Sequence, residues 1–215
     1  MGLRGFLRRI GGVILSPGET LEIIVHEKVS LLEPLLLIVC FEGLIGFLRA
    51  AAVISFLRRV VGFLSFLAGS IPWIPRLTGI TSAFIFPASV TFSIVFSLVI
   101  WVLWGGIAHL VAKHGFNGTG DYVTTLRTLG YAEVPRFISI IGVLFTVFSP
   151  LAIFIALALR VLGVIWQAAI ATFAMMKSHG LSGGSAFIAG ILIPAVVLLV
   201  IGLLVIFVPL MVVRW

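Results

Sequence analysis

The 215-residue sequence is 61% hydrophobic and only 10% charged, whereas a soluble domain typically has about 25% charged residues. This composition excludes a water-soluble globular protein, because lipid must be the solvent for most of so apolar a surface. The net charge of +7 comes from cations that stand singly or in pairs at the ends of apolar runs. It therefore indicates lipid headgroups as the partner, and not nucleic acid. The single cysteine, Cys40, excludes an internal disulfide and a cysteine metal site.

The first predicted element is a short basic amphipathic helix over residues 2–15. Its apolar residues recur at helical spacing, and its arginines fall off that stripe, so we expect the helix to lie in an anionic membrane surface. Its apolar run is short, and no small-residue cleavage pattern follows it. These features predict a retained segment and not a cleaved secretory signal. The candidate membrane-surface anchors are Arg4, Arg8 and Arg9.

Two capping-box patterns come next. Ser16-Pro17-Gly18-Glu19 predicts a helix start at which Ser16 caps the helix and Glu19 completes the box. Ser30-x-x-Glu33 repeats the pattern and opens the first membrane span. We therefore expect residues 1–30 to form an amphipathic membrane-surface segment and residues 31–215 to form the transmembrane domain.

Long apolar runs without charge predict membrane-spanning helices, and two of them cover residues 77–112 and 137–159. Between them lies a polar stretch, Lys113–Arg136, which we expect to be a water-facing connection. A turn at Ser149-Pro150 divides the second run in the preferred assignment. The alternative is one long helix to Leu159, followed by a shorter segment. The sequence thus predicts an all-α membrane protein, a bundle of five spans with an N-terminal interfacial helix. The spans cover residues 34–57, 87–112, 134–148, 151–176 and 186–213.

Five spans place the chain ends on opposite sides of the membrane, and the distribution of cations favours a cytoplasmic N-terminus. In that orientation the cytoplasmic side collects Arg4, Arg8, Arg9, Lys28, Lys113, Arg127, Arg136 and Lys177, and the opposite side collects Arg58, Arg59, Arg76 and Arg214.

Charges within the predicted spans are the candidate buried groups, because ionisable residues at membrane depth usually face the bundle interior and pair with another group. Glu42 and Arg49 are seven residues apart in the first span and share about one face of the helix, and Arg160 lies in the fourth span. Two interpretations of Glu42 stay open. It is either a proton or cation ligand, or a protonated or salt-bridged packing residue.

The polar stretch carries no pattern typical of a metal, nucleotide or catalytic site. His109 and His114 are five residues apart, which does not place two imidazoles on one helix face. His179 is far away in sequence. The loop glycines have no following Gly-Lys-Ser/Thr, so they do not indicate a phosphate loop. We expect no cofactor, no metal and no catalytic residue, and we expect Asp121 or Thr119 to cap a short helix over residues 122–129.

Two motifs give the sequence a resemblance to a known family. They are Ser-Pro-Gly-Glu-Thr at residues 16–20 and the run Thr125–Pro135, within which Gly130, Tyr131, Ala132 and Pro135 are the candidate motif residues. With five spans and a polar turn before the last, the chain resembles the Yip-domain family of Ypt/Rab-interacting membrane proteins over residues 15–210. In eukaryotic members the resemblance implies vesicle traffic, with Rab GTPases and partner Yip proteins bound through a cytoplasmic N-terminal region.

Two departures from the family pattern bear on partners. The region before the first span is short, and the Asp-Leu-Tyr-Gly-Pro sequence typical of eukaryotic members is absent. They argue against a Rab-type GTPase partner and suggest a prokaryotic relative in the plasma membrane. Three function classes stay open: a non-enzymatic membrane-organising or adaptor protein, which we favour; a small transporter or channel using Glu42, Arg49, Arg160 and the Pro150 break; and an intramembrane enzyme, which no spacing of polar residues supports. The expected partners are the lipid bilayer, a second copy of the chain or another membrane protein.

Overall fold

The computed structural model describes residues 2–68 and 74–212, and it describes the side chains in these ranges except at residues 67, 68, 74–82 and 208–212. Within these ranges the regular structure is entirely helical. The α-helices are α1 (Leu3–Leu15), α2 (Pro17–His26), α3 (Leu32–Ala68), α4 (Ile74–Leu110), α5 (Tyr122–Tyr131), α6 (Arg136–Phe148), α7 (Ile153–His179), α8 (Gly183–Phe187) and α9 (Ile193–Val212). Two π-helical turns, Val111–Gly115 and Ile188–Leu192, follow α4 and α8, and a 3-10 turn, Pro150–Ala152, precedes α7.

Four helical segments of the described chain are long and apolar enough to cross a membrane, and a fifth is counted if the bent pair of α5 and α6 is taken as one span. The protein is therefore an all-α membrane protein, and the predicted number of five is the upper end of this range. The four segments are Leu32–Phe66, Ala83–Gly115, Pro150–His179 and Gly183–Phe207.

The chain breaks where the preferred assignment places the turn, at Ser149. This residue is extended, with φ −144° and ψ 127°, between the end of α6 and the 3-10 turn. The physical reason is Pro150, which lacks an N–H and pushes the preceding residue out of the helical region. The alternative of one continuous helix to Leu159 is wrong.

Residues 58–86, which lie between the first two predicted spans and are therefore expected to connect them, are largely helical. Helix α3 continues past Arg58 and Arg59 to Ala68, and α4 has already begun at Ile74, so that Pro87 lies inside α4 and not at its start. Membrane helices tolerate such an internal proline. Residues 69–73 of the predicted connection, and residue 213 at the end of the last predicted span, lie outside the described residues.

Neither predicted capping box forms, although both helices begin close to the predicted positions. Ser16 is the N-cap of α2 and Pro17 its first residue, but the Ser16 side chain makes no capping hydrogen bond. At α3, the Ser30 hydroxyl accepts a hydrogen bond from the backbone of Leu32, while the Glu33 carboxylate bonds to side chains elsewhere. A tertiary ion pair outcompetes the local cap for Glu33.

The helices divide into two compact units. The first unit contains Met1–Pro34, Ile100–Ala132 and Ala168–Trp215. Here α1 and α2 form a hairpin in which Gly12 lies directly against Thr20. The described core is made mainly of side chains that are almost fully buried: Val13, Leu21, Ile24, Tyr131, Ile170 and Met175.

Helix α5 lies inside the first unit, and this corrects the prediction that Lys113–Arg136 is a water-facing connection. All residues of α5 from Thr124 to Tyr131 are buried. Its hydroxyl groups find hydrogen-bond partners within the unit, in the Asp121 carboxylate, the His179 ring and the helix backbone. The loop that precedes α5 stays exposed at Lys113, His114, Asn117, Thr119 and Asp121.

The second unit contains Leu35–Val99 and Glu133–Gln167. Its helices approach closely at small residues, as is typical of membrane bundles. Gly46 of α3 lies against the backbone of Ser89 in α4, whose hydroxyl donates to the Gly46 carbonyl at 2.9 Å. Gly142 of α6 lies against Ala156 of α7. Arg59 donates to the Phe148 carbonyl at 2.5 Å and so caps the C-terminus of α6.

Candidate functional site

An ion cluster of Arg9, Glu33 and Tyr131, termed here the N-terminal cluster, fastens α1 within the first unit. Arg9 donates to the two carboxylate oxygens of Glu33 at 2.5 and 3.0 Å, which is a bidentate pair. The Tyr131 hydroxyl donates to the same carboxylate, which is 5% exposed. The hydrogen bond with Glu33 raises the pKa of Arg9 above its ordinary value, so this guanidinium remains charged.

The three arginines of α1 therefore differ in their surroundings. Arg4 and Arg8 are exposed, as a membrane-surface anchor would be, whereas Arg9 turns inward to Glu33 and also lies 3.5 Å from a carboxylate oxygen of Glu27. Leu3 and Leu7 are exposed on the same helix. Helix α1 thus presents cations and apolar side chains outward while an ion pair holds it in place.

The motif Gly130-Tyr131-Ala132 packs at the centre of the first unit. A Cβ atom on Gly130 would collide with the ring of Pro34, and Nε1 of Trp101 lies 3.3 Å from that Cβ position. Tyr131 and Ala132 are almost fully buried. Pro135, the last motif residue, belongs to the second unit, where it is the N-cap of α6 and its carbonyl oxygen lies 3.4 Å from the Cβ position of Gly163. The motif residues have close packing contacts, which is sufficient reason for small residues there.

A second buried group in the first unit joins Thr125, His109 and His179. The Thr125 hydroxyl lies 2.8 Å from Nε2 of His179 and 3.5 Å from Nδ1 of His109, and the two imidazole rings are 5.3 Å apart. The folded chain thus brings together two histidines that are 70 residues apart, 109 and 179. No cluster of three or more His, Cys, Asp or Glu that could hold a metal occurs among the described residues.

The loop before α5 is held against the end of α7. The backbone N–H of Thr119 donates to the His179 carbonyl at 3.2 Å, and Gly118 and Gly120 lie against His179 and Ser178. Two tryptophans of α4 also bond to backbone carbonyls of the first unit. The Trp101 indole donates to the Leu126 carbonyl at 3.1 Å, and the Trp104 indole donates to the Gly190 carbonyl at 2.7 Å. The Gly190 carbonyl belongs to the π-helical turn after α8, so Trp104 provides a partner for an irregular piece of backbone.

Asp121 caps α5, as one of the two predicted alternatives has it. Its carboxylate accepts from the Thr124 hydroxyl at 2.6 Å and from the Thr124 backbone N–H at 2.9 Å, and these bonds lower the pKa of Asp121 below its ordinary value. Stability from such a group is present above its unfolded pKa of about 3.9 and is lost as the pH falls through the folded pKa.

Asp121→Ala should therefore lower the free energy of unfolding by about 1 kcal/mol at pH ~7, and by less at pH ~3, because the stabilisation by the charged carboxylate decreases once the pH is below its unfolded pKa of about 3.9. Thermal unfolding in detergent at the two pH values measures this difference. The matched control is Thr119→Ala, the other predicted cap, which we expect to have little effect at either pH. Equal losses at both pH values would contradict a role for the charged carboxylate.

The buried charges of the second unit form a separate cluster, termed here the intramembrane cluster. Glu42 of α3 is 6% exposed and accepts from the Arg136 guanidinium, which also donates to the Ser97 hydroxyl at 2.9 Å. A second carboxylate, Glu133, lies 2.5 Å from Nε of Arg136 and accepts from the Gln167 amide at 2.8 Å. Two carboxylates thus share one guanidinium.

The three charges singled out from the sequence have different places in this unit. Glu42 lies in the intramembrane cluster, Arg49 is exposed, and Arg160 is half-buried with its guanidinium 3.5 Å from the Ser139 hydroxyl. The residues that sequence reasoning missed are Arg136, Glu133 and Gln167. The one available signal was the i, i+3 spacing of Glu133 and Arg136 at the edge of an apolar run, which is typical of an ion pair on one helix face.

Comparison with known protein families identifies the family of this chain. The family model of the Yip1 domain matches residues 11–205, nearly the whole chain. The protein belongs to the Yip1-domain family. The match includes the motif residues Gly130–Pro135, the N-terminal cluster apart from Arg9, and the whole intramembrane cluster. No curated protein and no solved structure matches the chain significantly. This Yip1-domain protein is thus a multi-pass integral membrane protein.

Proposed function

We propose that this Yip1-domain protein is a non-enzymatic membrane-organising adaptor that acts through its N-terminal helix at the bilayer surface. The supporting observation is the outward face of α1, where Arg4 and Arg8 stand beside exposed Leu3 and Leu7 while Arg9 fastens the helix to Glu33. Cations beside apolar side chains are the composition that binds an anionic headgroup layer. The expected partners are the bilayer itself and a second copy of the chain or another membrane protein.

The orientation proposed is N-terminus inside, in a plasma membrane of prokaryotic type. Anionic lipid enriched in the cytoplasmic leaflet attracts exposed cations with about 1 kcal/mol for each Lys or Arg near the surface. The exposed Arg4 and Arg8, and exposed Lys113 and His114 in the loop before α5, are placed to benefit from that field if the first unit faces the cytoplasm.

The alternative of a small transporter or channel has less support. Glu42 is engaged by Arg136 and is not free to take a solute, and Arg49 is exposed rather than paired with Glu42. The Pro150 break is short, because α7 resumes at Ile153. An adaptor accounts for buried charges that serve only to hold helices together.

The test is reconstitution of the purified protein into vesicles with and without anionic lipid. We expect no flux of protons, cations or small solutes above that of protein-free vesicles, and a change in vesicle diameter or clustering only when anionic lipid is present. Arg8→Glu should reduce this change in vesicle diameter or clustering about 10-fold or more, since reversing one charge near the surface removes about 2 kcal/mol of attraction to anionic lipid. Arg58→Glu, an exposed arginine of α3, is the matched control and should leave the change intact.

A fluorophore on Leu7→Cys in a Cys40→Ser background reports whether α1 enters the headgroup layer, because a lipid-phase quencher then reaches it better than an aqueous one. The adaptor proposal would be contradicted, and transport favoured, if solute flux depended on Glu42 and the change in vesicle diameter or clustering were the same for Arg8→Glu as for the wild type.

A further inference from the structure

Arg127 is a buried cation for which the described part of the chain supplies no anion. Its side chain lies on α5, and the residue is 8% exposed. Two other guanidinium groups with low exposure, those of Arg9 and Arg136, each contact carboxylates. No carboxylate of the described residues lies within 4.0 Å of Arg127, and its buried Nε has no hydrogen-bond partner. An unpaired buried charge is strongly unfavourable, so an anion from outside the chain would stabilise it.

Among the described residues Arg127 makes a single polar contact, and this contact orients its side chain. Nη1 donates to the Thr124 hydroxyl at 3.4 Å, and that hydroxyl in turn donates to Asp121 at 2.6 Å. The Asp121 carboxylate is occupied by the cap of α5, so it does not neutralise the guanidinium by direct contact. The series of hydrogen bonds from Arg127 through Thr124 to Asp121 therefore positions the guanidinium but does not neutralise its charge.

The unused edge of the guanidinium indicates the kind of ligand. Nε lies on the same side of the fork as Nη2 and has no hydrogen-bond partner among the described residues, whereas Nη1 is engaged by Thr124. Two parallel N–H groups match two oxygens of a phosphate, the pairing for which arginine is better suited than lysine. One helical turn before Arg127, Val123 is 44% exposed, which marks the side from which a ligand can approach.

We propose that Arg127 is the centre of a phosphate-binding site that takes the phosphate group of a lipid headgroup or of a soluble phosphate ester. The neighbours of Arg127 on α5 contact the C-terminal part of the membrane span Ala83–Gly115, since Trp101 donates to the Leu126 carbonyl and the Thr125 hydroxyl lies 3.5 Å from Nδ1 of His109. The ends of spans are where lipid phosphates are abundant. This site is separate from the face of α1 used in the proposed function. Either inference can therefore fail without the other.

The experiment compares ligand-induced thermal stabilisation of the full chain, purified in a neutral detergent and stripped of lipid. Three probes at equal ionic strength separate the sources: dihexanoyl phosphatidic acid, inorganic phosphate, and dihexanoyl phosphatidylcholine, whose phosphate is masked by a cationic headgroup. We expect phosphatidic acid to raise the Tm of the wild type in a saturable manner. Stabilisation by inorganic phosphate alone would also support the site and would assign it to a soluble ligand.

Arg127→Gln separates a ligand site from a structural role by the sign of its effect. If the charge awaits an anion, Arg127→Gln should raise the Tm of the stripped protein and abolish the response to phosphate. Arg127→Lys, which keeps the charge but loses the fork, should weaken binding about 10-fold and provides the comparison if the glutamine variant does not fold. Arg8→Gln, which removes an exposed arginine, is the matched control and should keep the wild-type response.

Two results would overturn the proposal. One is a stripped Arg127→Gln protein that melts below the wild type, together with no stabilisation of the wild type by phosphatidic acid or phosphate. The other is an equal response of the wild type, Arg127→Lys and Arg127→Gln to either probe, which would place binding elsewhere on the protein.

Discussion

Glu42→Ala is expected to lower the free energy of unfolding by about 3 kcal/mol, because it leaves the Arg136 guanidinium buried beside only one carboxylate. The loss is at the low end for a broken buried pair, since Glu133 remains 2.5 Å from Arg136. Thermal or denaturant unfolding in detergent, followed by helical signal, measures the change. Glu42→Gln should lose less, because the amide oxygen still accepts a hydrogen bond from the guanidinium.

Glu19→Ala is the matched control for this prediction. Glu19 lies exposed on α2, and its removal should change stability by no more than about 0.5 kcal/mol. Replacing the whole group together, as Glu42→Leu with Arg136→Met and Glu133→Gln, should restore most of the loss, because no buried charge of the cluster is then left without a partner. A stable Glu42→Ala protein would show that the ion pair does not hold α3 and α6 together.

The sequence was sufficient for features that depend on neighbours along the chain. Hydropathy alone marks the long apolar helices, the break at Ser149 follows from the next residue being Pro150, and Asp121 caps α5 through residues within one turn of it. Each of these involves free energies decided locally, by solvent, by a ring that blocks a hydrogen bond, or by a cap. For that reason these three features can be predicted from the sequence without knowledge of the tertiary structure.

The pairing of charges could not be predicted from the sequence, because the packing of the helices determines it. Glu42 meets Arg136, 94 residues away, and not Arg49, which shares its helix face. Glu33 matches a local capping pattern, yet its carboxylate bonds to Arg9 and Tyr131. In both cases a buried carboxylate gains more from a bidentate or shared guanidinium than from a local partner.

The polar composition of Lys113–Arg136 was misleading for a related reason. Polarity predicts contact with water only when no other polar group is near, and here α5 finds partners within the first unit. Thr125 meets two histidines, and Trp101 donates to the backbone of Leu126. The motif residues Gly130, Tyr131 and Ala132 are therefore part of a packed centre, and the close approach of Pro34 requires glycine at position 130.

Gly120→Ala should destabilise the protein by about 3 kcal/mol, because a Cβ there would overlap the backbone carbonyl of Ser178 and lie 3.0 Å from Nδ1 of His179. A backbone carbonyl cannot rotate away as a flexible side chain can, so the loop before α5 would have to leave the end of α7. That movement would break the bond from Thr119 to the His179 carbonyl.

Gly115→Ala is the matched control in the same stretch, since its Cβ would meet only the Val111 side chain at 3.8 Å, an ordinary contact. Thermal unfolding in detergent compares the two variants directly, and we expect only Gly120→Ala to lower the Tm by several degrees. If both alanines were tolerated equally, the loop would not be held against α7. The packing around His179 would then not be what requires glycine at position 120. Both substitutions add one methyl group to the same stretch, and only the one at position 120 meets backbone, so the comparison tests whether this contact requires glycine.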